Sequence, residues 1–313
     1  MDAAQLPELS VVVAIVSDTT NPRVDVDILA GCLEAFARQI DPPRLEIIVS
    51  HLPDIAGLDA LKARYPSVSF LPVLDTKGPA ETGGGREHHD VLRARAIAKA
   101  RGGLIAMLED HSRPDPRWCA NIVAAHKESH ACVGGAMGNI IDRPLNWAVY
   151  FCDFGRYQNP LQEGDAHFAS DSNVSYKRAA LESVREAWAD AFREVIVNGA
   201  LIARGEKVVL RRDILVNQCR AGLRFGPAMR ERFIWGRSYS ATRNVSLGLP
   251  KRLALAAASP LLPAVLTFRL ARTAFERRRY FGKFLRALPL TVILLASWGA
   301  GEGIGYISGV RRG

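Results

Sequence analysis

The stretch that decides the fold is LIAMLEDHSRPDP, residues 104–116. Its first five residues are apolar and predict a buried strand, which ends abruptly at Glu109, Asp110 and His111. Carboxylates at the tip of a buried strand lie at the carboxyl edge of a sheet, where open α/β folds bind ligands. Two adjacent acids there need a balancing charge, and a divalent metal that carries a phosphorylated substrate would supply it. A solvated acidic turn is the alternative interpretation.

The residues before this stretch alternate between strand and helix patterns. The run SVVVAIV, residues 10–16, is rich in β-branched residues and predicts a strand that is buried on both faces. The same reasoning predicts strands at 45–49 and 68–74 and helices at 26–39, 58–65 and 90–101. Repeated strand–helix–strand units predict an α/β fold, with a mostly parallel sheet flanked by helices.

The pattern becomes less regular after residue 116. We expect a helix at 118–127, a strand at 131–140, a loop or broken helix at 146–163, a helix at 187–204 and a short strand at 207–210.

Two more acids follow predicted strands of the same sheet. Asp18 comes after the first strand and Asp54 after the second, so both are candidates for binding a nucleoside. Ordinary turn chemistry, in which Asp is common, is the alternative explanation for an Asp at either position.

The helix before the acidic stretch carries Arg93 and Arg95. We expect one of them to pair with a phosphate or a site carboxylate and the other to face solvent. His88 and His89, at the start of this helix, lack the spacing of metal ligands and are expected at the surface.

Length and cysteine usage suit an intracellular α/β protein. The 313 residues can form one large domain with an appendage. The five cysteines lack the short spacing of zinc sites or redox pairs, which predicts reduced thiols in a cytosolic domain. The first residues, MDAAQLPELS, do not have the pattern of a signal peptide.

Basic residues concentrate in the C-terminal third. From Arg204 onward the chain has 21 Lys and Arg against 5 Asp and Glu, and the same third holds the apolar segments 253–270 and 284–298. Basic clusters beside apolar helices indicate attachment to an anionic cytoplasmic membrane surface. Nucleic-acid binding is disfavoured, because the sequence has no aromatic–basic platform and no helix-turn-helix pattern.

We therefore divide the chain into an α/β domain at 1–248 and an apolar, basic, membrane-associated helical tail at 249–313. The tail's two segments either span the bilayer, re-enter it or lie at its surface. Five basic residues lie between them in 277–286, which favours a shallow attachment over two crossings.

Residues 8–245 resemble the family 2 inverting glycosyltransferases of the GT-A fold. The resemblance rests on five segments that occur in the family's order: LSVVVAIV, DVLRARAIAKARG, LIAMLEDHSRPDPRW, FASDSNVSYKRAAL and DAFREVIVNGALIARGEKV. It implies a GT-A-like, Rossmann-like fold. The apolar, glycine-containing tail also looks like the tails of membrane-associated members.

The resemblance implies roles for individual residues. Asp110 and His111 would hold Mn²⁺ or Mg²⁺, and Glu109 would bind the metal or the donor's ribose. Glu194, in Arg193-Glu194-Val195, would be the catalytic base, although an acid at a helix start is also favoured by the helix dipole. The remaining roles are donor binding by Asp18, Asp54 and Arg93 and acceptor binding by Asp171 and Asn173.

The implied function is metal-dependent, inverting transfer of a sugar from a nucleotide-diphosphate donor to a lipid-linked or polysaccharide acceptor. A catalytically impaired binding or assembly protein at the membrane is the first alternative, since the chain has few acids at 50–54 and 193–195. A nucleotidyltransferase is the second, and the absence of a P-loop pattern after the glycines at 83–85 disfavours it.

Overall fold

The protein is described by a computed structural model that covers residues 6–17, 26–79, 81–82, 86–244 and 247–308. It forms two compact units. The sheet unit contains the described residues of 6–140 and 159–219, and the helical unit contains those of 141–158 and 220–308.

The first four strands form the parallel half of one sheet. These are β1 (Leu9–Ala14), β2 (Leu45–His51), β3 (Ser69–Pro72) and β4 (Leu104–Glu109). Strand β1 lies between β2 and β4, with Val11 beside Ile47 on one side and Ala106 on the other. Every residue of β1 is buried, as a continuous β-branched run predicts for a central parallel strand.

The other strands add antiparallel pairings to the sheet. They are β5 (Ser112–Pro114), β6 (Cys132–Asn139), β7 (Gly164–Asp165), β8 (Val174–Lys177) and β9 (Val208–Gln218). The strand order is β3-β2-β1-β4-β8-β6-β9-β5, with β7 also paired to β9. Strand β8 runs antiparallel to both of its neighbours, β4 and β6, whereas β6 and β9 are parallel.

Helices cover the sheet and connect its strands. They are α1 (Val26–Ala37), α2 (Leu58–Arg64), α3 (Glu87–Lys99), α4 (Trp118–Ala125), α6 (Arg178–Ser183) and α7 (Glu194–Ala203). A buried core between sheet and helices includes Ile97 of α3, Met107 of β4 and Val197 of α7. The predicted α/β class with flanking helices is confirmed.

The helical unit contains α5 (Pro144–Phe154), α8 (Phe225–Asn244), α9 (Leu249–Ala258), α10 (Leu262–Arg277) and α11 (Phe281–Ser308). Two segments, Leu249–Arg277 and Phe281–Ser308, are long and apolar enough to cross a membrane by length and composition. The predicted domain boundary after residue 248 differs from the unit boundary. Helices α5 and α8 group with the tail because α11 packs against both of them.

Small residues allow α8 and α11 to lie very close together. A Cβ atom on Gly301 would overlap the carbonyl group of Phe233, and one on Gly236 would overlap the carbonyl group of Trp298. Glycine at these positions removes the side chains that would hold the helices apart. The glycine-rich sequence at 299–309 therefore serves, over its described residues, as a helix-packing surface.

Candidate active site

The acidic stretch lies at the carboxyl end of β4, beside the end of β1. Asp110 is fully buried, and its carboxylate accepts hydrogen bonds from the backbone N–H of Val16, at 3.2 Å, and from the hydroxyl of Ser17. The two donors follow β1 directly, so the parallel pairing of β1 with β4 brings them to the carboxylate. These bonds satisfy a charge that burial would otherwise make costly.

His111 lies between the two carboxylates that precede it. Its Nδ1 is 3.2 Å from Asp110 Oδ1, and its Nε2 is 3.2 Å from Glu109 Oε2. Burial by itself lowers the pKa of His111, but the two carboxylates outweigh burial and raise this pKa to about 9. An imidazolium thus balances the adjacent acids at neutral pH.

Arg93 connects this cluster to a second group of acids. It projects from α3, is 1% exposed, and places Nη2 3.2 Å from Glu109 and 3.0 Å from Asp171. Its Nε and Nη1 are buried without a hydrogen-bond partner among the described residues. The expected pairing of Arg93 with a site carboxylate is present, while Arg95 pairs with the exposed Asp75.

Arg93 and His111 also set the charge state of Glu109. Burial raises the pKa of this carboxyl, but His111, Arg93 and a hydrogen bond from Ser172 more than offset burial and hold the pKa well below its usual range. Glu109 is therefore an anion shared by an imidazolium and a guanidinium.

Glu194 is the first residue of α7, and the negative charge of Asp171 acts on its carboxyl group. Burial, and then the negative charge of Asp171, raise the pKa of Glu194 to about 7, while Arg86 and Arg93 oppose the shift. A carboxyl group with this pKa can both accept and release a proton near neutral pH. The role of Glu194 as the catalytic base stays a prediction.

Asn173 is buried and bonded within the protein. Its Nδ2 donates to the carbonyl groups of Ala136 and Ile214, each at 2.9 Å, and its Oδ1 accepts from the indole N–H of Trp118, also at 2.9 Å. Both amide hydrogens are thus used in joining β6, β9 and α4 to the segment that precedes β8. Its acceptor-binding role stays a prediction.

Asp54, one of the two residues predicted to bind the nucleoside, makes no contact with this cluster among the described residues. Asp18 lies outside the described residues. Asp54 is exposed in the loop after β2 and has a φ of 63°, in the left-handed region that Asp tolerates better than most residues. Its donor-binding role stays a prediction.

The sequence did not single out three residues that contact the cluster: Ser17, Ser172 and Arg86, which is 4.0 Å from Asp171. Ser17, like Asp18, follows a buried strand, so the same sequence pattern could have identified it. The expectation that His88 and His89 lie at the surface is wrong, because they are 1% and 3% exposed and their rings pack together.

The side chains at the end of β4 are of the types that bind a divalent metal, but they are not arranged as a metal site. Glu109, Asp110 and His111 offer carboxylate oxygens and imidazole nitrogens, which Mn²⁺ accepts. However, no three Asp, Glu, His or Cys side chains form a metal-binding group within the described part of the chain. Both ring nitrogens of His111 face carboxylates, so a cation on Asp110 would have to compete with this imidazole.

No family model matches the chain, and no curated protein matches it significantly. Solved structures do share its fold. One is a mannosyltransferase from Pyrobaculum calidifontis, determined in complex with GDP-mannose and Mn²⁺. The match has a TM-score of 0.51 at 15% identity and covers 96% of this chain and 88% of that chain. The chain therefore shares the fold of that mannosyltransferase.

Proposed function

We propose that the protein is a glycosyltransferase of the family 2, GT-A type. It would transfer a sugar, with inversion, from a nucleotide-diphosphate donor to a lipid-linked or polysaccharide acceptor at the cytoplasmic side of a membrane. The observation that carries this proposal is the chain of contacts from Asp110 through His111, Glu109 and Arg93 to Asp171, in a glycosyltransferase fold. Asp171 ends this chain of contacts, and its negative charge acts on Glu194.

The two ends of this cluster suit the two halves of the reaction. Glu194 would take the proton from the acceptor hydroxyl, whose oxygen then attacks the anomeric carbon opposite the leaving group. Attack from that side inverts the configuration. The departing nucleoside diphosphate gains negative charge, which the cationic side chain of His111 can stabilise. Asp171 would hold the acceptor, and Arg93, which contacts both Glu109 and Asp171, would position these two carboxylates between donor and acceptor.

A divalent cation is part of the proposal, with Asp110 and the neutral form of His111 as its ligands. His111 would have to release a ring proton to bind the metal, whose charge would then replace that of the imidazolium. When bound, Mn²⁺ or Mg²⁺ would neutralise the diphosphate. Direct binding tests this independently of turnover: Mn²⁺ titrated into the full chain, followed by electron paramagnetic resonance, should bind the wild type and not Asp110→Asn. The matched control is Asp59→Asn, which changes an exposed acid distant from Asp110 in the sequence. Equal binding by Asp110→Asn would remove Asp110 as a ligand.

Replacing the base separates catalysis from donor binding. Glu194→Gln keeps the shape of the side chain but cannot accept a proton, so transfer should fall by roughly 10²- to 10⁴-fold. Thermal-shift titration with UDP-, GDP- and dTDP-sugars should show donor binding unchanged. The control is Glu206→Gln, an exposed acid beyond the end of α7. Wild-type turnover in Glu194→Gln would exclude Glu194 as the base.

A catalytically impaired binding protein is the second candidate. The observation that favours it is that His111 already contacts the carboxylates of Glu109 and Asp110, so these charged groups balance one another without a metal or a substrate. The two candidates differ in chemistry: donor hydrolysis or transfer that disappears in Asp110→Ala supports the enzyme. Donor binding without any turnover, with every metal and sugar tried, supports the binding protein.

A further inference from the structure

Helix α11 is packed along its length by helices that carry charged residues. Near its start, Lys283 pairs with Asp142 at 2.6 Å, and Phe284 packs on Phe151 of α5. Towards its end it is in close contact with α8, where the Ser297 hydroxyl donates to the carbonyl group of Met229 at 2.8 Å. A bilayer that contained α11 would therefore have to contain α5 and α8 as well.

Helix α8 is unsuited to the hydrocarbon core of a membrane. It presents Arg230 and Arg237 as exposed side chains. It also carries the buried pair Glu231 and Arg232, and Arg232 forms a bidentate ion pair with Asp153 of α5. Ionised side chains at membrane depth are costly, and those exposed to lipid are the least tolerated. Since α8 stays out of the hydrocarbon, its partner α11 stays out with it.

Helices α9 and α10 present a different surface. We define the outer stripe as Leu261, Val265, Phe268 and Phe275, which are spaced on one helical face and are between 44% and 70% exposed. Only 6% of the most apolar window in this segment is buried. Pro260 and Pro263 lie at the 3₁₀ turn that separates α9 from α10. The segment is thus an interrupted amphipathic helix pair, with an apolar side that the rest of the helical unit does not cover.

The charges beside this stripe identify its partner. Residues 249–286 contain nine Lys and Arg and a single acid, Glu276. Two copies of the chain that met on this surface would bring like charges together, which disfavours self-association. An anionic lipid surface complements the charges and accepts the apolar side chains at the same time.

We infer that α9 and α10 lie in the plane of one anionic leaflet, with the outer stripe among the lipid chains, and that neither apolar segment crosses the bilayer. The inference rests on the membrane attachment in the proposed function and specifies its form. The basic residues between α10 and α11 then stay on the same side of the membrane as the rest of the chain.

Vesicle binding tests the outer stripe. The full chain should co-sediment with vesicles of phosphatidylcholine and phosphatidylglycerol, and more weakly with phosphatidylcholine alone. Phe268→Asp should lower the partition coefficient by roughly tenfold or more, because it removes a large apolar side chain from lipid and adds a charge. Ile40→Asp makes the same kind of change on an exposed residue of the sheet unit and should bind normally.

Labelling tests the topology. In bacterial cells that express Arg279→Cys, a membrane-impermeant maleimide should label the new thiol only after lysis, with the wild type as background. Labelling in intact cells would show that the linker crosses the membrane and would overturn the inference while leaving membrane attachment intact. Failure to bind any vesicle would overturn both. Donor turnover, measured separately without lipid, reports on the proposed transfer chemistry in either case.

Discussion

Ionisation of Glu194 should lower the stability of the folded protein and enable the proposed transfer reaction. Its folded pKa of about 7 lies above its ordinary value of 4.5, so the folded protein holds a proton that the unfolded chain has already lost in this interval. Stability therefore falls as pH rises from about 4.5 to 7. Ionised Glu194 is the form that accepts a proton from the acceptor, so transfer should rise with pH over the upper part of the same range.

Glu194→Gln should therefore stabilise the protein while it removes transfer. Gln is neutral at every pH, so the variant avoids placing an ionised group beside Asp171. Above pH 7 we expect a gain of about 2 kcal/mol in the free energy of unfolding, which disappears at low pH. Urea denaturation across a pH series measures it. A variant that is less stable than the wild type at high pH would contradict the proposed environment of Glu194.

Arg93 is the residue whose loss should damage the site most. Arg93→Met leaves the largely buried side chains of Glu109 and Asp171, each 13% exposed, without their shared guanidinium, which should cost about 3–5 kcal/mol in the free energy of unfolding. Arg95→Met on the same helix is the matched control. Its pair with Asp75 is partly exposed, so about 1 kcal/mol is expected. Equal losses in chemical denaturation would argue against a special role for Arg93.

At the scale of elements, the contact between α8 and α11 depends on the absence of side chains. Gly301→Ala would drive a Cβ atom into the carbonyl group of Phe233, and backbone cannot move aside as a flexible side chain can. We expect a loss of about 1–3 kcal/mol in the free energy of unfolding.

Gly282→Ala, in the first turn of the same helix, is the control for this change. Among the described residues, apart from its chain neighbours and the backbone of its own helix, no atom lies within 4 Å of the added Cβ. Alanine should therefore raise the free energy of unfolding by about 0.5 kcal/mol, because it lowers the conformational entropy of the unfolded chain. Thermal unfolding followed by circular dichroism compares the two variants. If Gly301→Ala is as stable as Gly282→Ala, the helices are not in the close contact described.

Elements with a simple apolar period could be predicted from the sequence, and those with a mixed pattern could not. Strand β1 is a continuous apolar run, and it was predicted. Strand β9 has eleven residues, but Arg211, Arg212 and Asp213 interrupt it, so only its first residues were recognised as a strand. Arg211 and Arg212 pair with Glu163, a residue distant in the sequence. A local sequence pattern does not reveal such pairing.

The candidate site shows the same limit. The acids at the end of β4 could be identified because a buried strand ends there, whereas Glu194 was selected through the family resemblance of residues 190–208. The bridge from Glu109 through Arg93 to Asp171 joins residues far apart in the chain. Such contacts depend on the register of β8 between β4 and β6, which no local pattern specifies. For residues 146–163 the sequence left a loop and a broken helix as alternatives, because the aromatic residues lack a clean helical period, and the structure has helix α5 over much of this segment.

At the scale of the whole molecule, the helical unit is assembled from distant parts of the chain. Truncation after Gly248 would remove α11, which covers α5 and α8. We expect the shortened protein to expose apolar surface, bind the dye ANS and elute as aggregates in size-exclusion chromatography. The full chain in detergent is the comparison. A monomeric truncated protein with a single cooperative unfolding transition would show that α8 and α5 fold without α11.

The late position of α11 has a consequence for synthesis on the ribosome. Every described strand of the sheet unit has been made once residue 218 is translated, so that unit can fold while the chain is still growing. Helix α5 is translated early, but its packing partner Phe284 emerges much later. During that delay its aromatic side chains have no native partner on α11. Chaperones, or the membrane surface itself, would have their main opportunity to engage the nascent chain in this interval.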